Sequence, residues 1–87
     1  MISLEDCIAL SGLSDEEVAA IAEHEHIPQI AAAELGNYLS RSEDGRLTIK
    51  SMIRDDIQAA QARGERDRVL ALKMVLRSYV SEQRGLD

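Results

Sequence analysis

The densest group of side chains able to do chemistry is Glu23-His24-Glu25-His26, four consecutive residues offering carboxylate oxygens and imidazole nitrogens. These donor types suit transition metals, so their spacing decides the outcome. At about 100° per residue, His24 and His26 point roughly 200° apart and cannot chelate one ion from one regular helix. Glu23 and His26 do share a side, as in the Glu-x-x-His pairs of di-iron helical bundles. Such a site needs a second pair, which only a symmetric dimer supplies here, with Glu34 as a further oxygen ligand. The competing reading is a solvated helix end. It requires no second copy, and we assign no metal and no cofactor.

The remaining chemistry-bearing residues are sparse. Cys7 lies between Leu4 and Ile8 on an apolar face, and no base nearby in sequence stabilises a thiolate, so it reads as a small buried hydrophobe. No Ser/His/Asp order, paired-carboxylate signature or glycine-rich phosphate loop is present, and the chain is expected not to be an enzyme. Tyr38 and Tyr79, its only aromatic residues, fall at core spacing and are expected to pack.

Charge excludes more than the motifs do. All ten Lys and Arg residues lie at Arg41 or beyond, while eight of the sixteen Asp and Glu residues precede that point. The segment from Cys7 to His26 resembles a helix-turn-helix, with Ser11-Gly12-Leu13 at the turn and Val18 and Ile21 at inward positions. Its recognition helix would carry Asp15, Glu16, Glu17, Glu23 and Glu25 towards a polyanion, with no cation to make phosphate contacts. A net charge of −6 points the same way, against nucleic acid and anionic membranes as partners. A DNA-associated regulator that uses this segment, or a basic surface assembled from the last two helices, remains the alternative.

The elements that position these residues are helices. Ser3 caps a short helix over Leu4 to Ser11, with Asp6 at the capping-box position and Gly12 as terminator. Ser14 and Glu17 form the S-x-x-E signature of a second helix, and Asp15 to Glu17 favour its positive end. Pro28 stops that helix near His26 and suits the first turn of a third, through Ile30, Leu35, Tyr38 and Leu39. Gly36 inside the third predicts close packing. Ser40 to Arg46, with Asp44-Gly45, reads as a loop. A fourth helix is expected over Leu47 to Arg63, with Ile49, Met52, Ile53, Ile57 and Ala60 at helical spacing. The last runs from about Glu65 to Gln83 and buries Val69, Leu72, Leu76, Tyr79 and Val80. The expected fold is all-α: one domain over 1–87, in which an acidic three-helix segment (1–40) packs on a helical hairpin (47–83).

The last helix is the most informative. Arg66, Lys73, Arg77 and Arg84 lie within about 40° of one another along one edge of its apolar face. Leu70 and Met74 form a second, smaller apolar strip nearly opposite that face. A peripheral helix needs one apolar face, so the second strip meets either another helix of the chain or a second molecule. The core is built from aliphatic residues and eleven alanines, which bury little area each and favour extra burial in an oligomer. These six residues are therefore the expected partner-binding set. The expected partner is protein, with a homodimer as one form, and the basic edge is expected to face the acidic N-terminal segment, within one chain or across subunits.

No apolar run approaches a membrane span. Met1 to Asp6 has no basic n-region, and a single cysteine gives oxidising compartments no support, so a cytoplasmic setting is expected. The stretch from Ser11-Gly12-Leu13 through Ile21 to Pro28 resembles a group of short, uncharacterised, all-helical bacterial proteins. The similarity is concentrated in about the first 35 residues. It implies a small cytoplasmic bacterial protein and carries over no functional residues.

Overall fold

The structure, a computed structural model, describes residues 3–84, with side chains to Glu82. Those residues form α1 (Leu4–Ser11), α2 (Asp15–Glu25), α3 (Gln29–Leu39), α4 (Glu43–Ala62) and α5 (Arg66–Arg84), with no strand among them. The expected all-α bundle is therefore the fold. The local signals act as read. Ser3 with Asp6, and Ser14 with Glu17, both close capping boxes. Gly12 and His26 end their helices in the left-handed region, at φ 76° and φ 57°. Histidine is one of the few side chains enriched there.

Three helices make the middle of the molecule. α2 packs on α3, α4 and α5, and α3 also packs on α1 and α4. The core runs through Val18 and Ile21 of α2, Ala32 and Ala33 of α3, Ile49 and Ile53 of α4, and Leu72 and Tyr79 of α5. Small residues let α3 sit deep. A Cβ on Gly36 would meet the Leu13 side chain and lie 3.1 Å from Cδ1 of Ile21, which is the close packing its position predicted. α1 rests on α3 at one flank, while α5 rests on α4 and α2 at the other. The molecule measures 40 × 30 × 18 Å.

Two expectations are corrected. The loop expected over Ser40 to Arg46 is confined to residues 40–42: α4 begins at Glu43, so the hairpin spans Glu43–Arg84 rather than 47–83. Ser42 Oγ accepts from Gly45 N at 3.0 Å, capping the helix, and Glu43 and Asp44 sit where the helix dipole favours negative charge. Gly45 serves a close approach instead of a turn, because the carbonyl of Leu39 occupies the place of a Cβ. Tyr38 does not pack in the core but is 70% exposed. Its neighbour Leu39 takes the inward, partly buried position. Tyr79 is fully buried, with its hydroxyl 3.3 Å from Ser40 Oγ at the end of α3.

Candidate interaction surface

α5 turns Leu72 and Tyr79 into the core, flanked by the partly buried Val69, Val75 and Leu76. Arg68 joins this inward arc and pairs with Glu23 of α2. One turn further round, the helix is apolar again. Leu70 is 62% exposed and Met74 is 71% exposed, so no other helix of the chain covers the second strip. A lone exposed leucine needs no explanation. Two on adjacent turns of a helix already anchored by its other face form a patch.

The basic edge lies beside that patch. Arg66, Lys73 and Arg77 are exposed and have no ion-pair partner among the described residues. The Arg84 side chain lies outside the described residues. Arg66, Lys73 and Arg77 are thus not paired with the acidic N-terminal segment inside one chain, contrary to the in-chain form of the expected contact. Among the described cations of α5, Arg68 makes that link, from the inward arc that reaches α2. Two open grooves follow the edge. One, of about 400 Å³, runs past Gln61, Gly64, Glu65, Arg66, Val69 and Leu70. The other, of about 440 Å³, is lined by Lys73, Leu76, Arg77 and Val80.

α2 approaches α4 from the side of Asp55, whose Oδ2 lies 3.5 Å from His24 Nε2. Helical periodicity puts Lys50, Arg54 and Leu47, together with Glu43, on a different side of α4 from Asp55. Arg54 and Leu47 are exposed and Lys50 half-buried. α4 thus adds two cations, Lys50 and Arg54, and one exposed carboxylate, Glu43, on one line of its surface. The hairpin carboxylates Asp55, Asp56 and Glu82 lie towards α2.

The other side holds a polar seam that sequence reasoning missed. Glu17 is fully buried; its Oε1 accepts from Ser14 N at 2.8 Å, and its Oε2 has no partner among the described residues. Burial raises its pKa above the ordinary range, and the nearby Glu82 carboxylate adds to that. Asp56 is raised as well, first by burial, against the pull of His24. Burial also raises the Tyr79 hydroxyl. The available signal was positional: Glu17 precedes Ile21 by four residues, and Arg68 precedes Leu72 by four, so both fall on buried arcs.

The candidate metal ligands do not converge. Glu23 is engaged by Arg68, while His26 and Glu34 are exposed on different elements. No group of three or more His, Cys, Asp or Glu able to hold an ion occurs among the described residues. The helix-turn-helix segment has its expected boundaries, but α2 is the central helix of the bundle, with Glu17, Val18, Ala20 and Ile21 buried. What it shows to solvent includes Asp15, Glu16, Glu23 and Glu25. Cys7 is partly buried against the core. No helix among the described residues is long and apolar enough to cross a membrane.

Comparison with family models, with curated proteins and with solved structures finds no match to this chain.

Proposed function

We propose that this chain is a non-catalytic protein–protein interaction module that works in the cytoplasm and associates through the outward side of α5. The observation that carries this reading is the exposure of Leu70 and Met74 on a helix whose opposite face is already buried. Removing such side chains from water contributes roughly 1.5–3 kcal/mol each. The neighbouring Arg66, Lys73 and Arg77 supply a charged rim of the kind that sets partner choice and encounter rate. A cytoplasmic setting is consistent with a single cysteine that has no partner for a disulfide.

Molar mass by light scattering tests the reading. The native chain is expected at twice the monomer mass or more at micromolar concentration. Leu70→Lys with Met74→Lys is expected to be monomeric, with a melting midpoint close to native because both residues are exposed. A native monomer, or an assembly that survives both lysines, ends the proposal.

A further inference from the structure

The basic side of the hairpin has a counterpart of opposite sign at the far flank of the same molecule. Glu5, Asp15 and Glu16 line an open groove of about 420 Å³ between α1 and α2, together with Leu4, Ile8 and Ala19. All three carboxylates are exposed, none pairs with a cation among the described residues, and no Lys or Arg occurs before Arg41. Beside them on α1, Leu10 is 70% exposed. This groove thus mixes aliphatic side chains with carboxylates, and the groove along Lys73, Leu76, Arg77 and Val80 mixes them with cations; neither set of charges has an ion-pair partner among the described residues.

The two surfaces do not pair within one molecule among the described residues. Glu5 belongs to α1, which packs on α3, and Asp15 and Glu16 to the first turn of α2, whereas Lys73 and Arg77 belong to α5, which has no α1 contact of comparable size. Two copies related by a twofold axis through the basic side would set cations against cations. A head-to-tail contact sets cations against carboxylates and aliphatic residues against aliphatic residues.

Resting on the interaction-module reading, we propose that the occupant of the hairpin's basic side is the acidic α1–α2 surface of a second copy of this chain. Lys73 and Arg77 of one copy face Glu5 and Glu16 of the next, with Leu70, Leu76 and Val80 packing beside them. Each copy keeps one surface of each sign, so the contact is heterologous and grows into a ring or a filament according to its rotation. Nucleic acid is the less suitable occupant: this basic side carries no aromatic platform for bases, and the acidic flank repels a polyanion.

Two single-surface variants test this by sedimentation velocity: Lys73→Glu with Arg77→Glu, and Glu5→Lys with Glu16→Lys. These residues lie outside the capping boxes and the core. Each variant alone is expected to associate at least about tenfold more weakly than native. An equimolar mixture of the two recovers association, and salt weakens the native assembly. Melting curves check folding. If the lysine pair does not fold, Glu5→Gln with Glu16→Gln decides, and association within about twofold of native refutes the contact. An acidic-surface variant that associates like native overturns the head-to-tail contact while leaving the interaction module standing. A native monomer overturns both. Sub-micromolar anisotropy binding of duplex DNA by the native chain also overturns the proposal, since the basic side would then serve a polyanion.

Discussion

Replacing Gly45 by alanine is expected to destabilise the fold by about 3 kcal/mol, at the upper end of ordinary overpacking. For a domain of this size the melting midpoint should drop by roughly 12–24 °C. The obstacle is backbone: an added methyl would land on the carbonyl group of Leu39. That carbonyl cannot easily move. Ser42 caps α4 through Gly45 N, and an Arg46 guanidinium nitrogen donates to Ser40 O at 3.1 Å. Ser40 Oγ is in turn tied to the buried Tyr79 hydroxyl. Relief therefore requires α3 and α4 to separate, and Tyr79 would lose its hydrogen bond with them. Gly64 is a control: its φ is +73° and nothing lies within 4 Å of a Cβ there. Gly64→Ala should cost only the left-handed strain, about 1–2 kcal/mol. Thermal unfolding followed by circular dichroism compares the two. Equal losses would show that the α3–α4 corner is not the tight point of the fold.

Glu17→Gln is expected to do the opposite and raise stability at neutral pH by about 1–3 kcal/mol, the usual cost of an unpaired buried polar atom. Glu17 keeps its capping role through Oε1, which the amide oxygen of Gln reproduces, while Oε2 has no donor. An amide NH₂ in that place can donate to Glu82, the carboxylate that faces it. The pH dependence follows from the same burial. With its folded pKa above the ordinary 4.5, Glu17 binds more protons in the native chain than in the unfolded one between those two values. Stability should therefore rise as pH falls from neutral into that window, and gain nothing more from Glu17 below it. Asp56, raised from 3.8 by burial, pushes in the same direction. Urea unfolding at pH 7 and pH 5 should show native stability increasing with acid, and a shallower increase in Glu17→Gln, the part left to Asp56. A Gln variant less stable than native at pH 7, or one that keeps the full slope, would remove Glu17 as the cause.

The two variants separate two kinds of information in this chain. Most of what neighbours in sequence govern was legible, the Ser42 cap on Gly45 N being the exception. Ser3 with Asp6 and Ser14 with Glu17 capped the helices they were expected to cap, because a capping hydrogen bond closes within four residues. Pro28 ended α2 through the geometry it imposes on Ile27. Leu70 and Met74 stood out because helical periodicity alone places them opposite Leu72, and they are exposed in the fold.

What depends on a neighbour from elsewhere in the chain was not legible. Asp44-Gly45 has the composition of a turn, yet it forms the first turn of α4 because the end of α3 crosses there and only glycine leaves room. Tyr38 sits at core spacing, but that side of α3 receives no helix, and it is left in solvent. Glu17 has the sequence role of an exposed cap and becomes a buried acid because α2 is enclosed by α3, α4 and α5. Arg68, not the basic edge beside it, reaches Glu23 because the inward arc of α5 is the one turned to α2. Hydrogen bonds between near neighbours and helical periodicity fix which residues form helices and which face of each is apolar. Which of those faces finds a partner is set by how helices distant in sequence pack together, and that is why only the tertiary structure left Leu70, Met74 and the cations beside them uncovered.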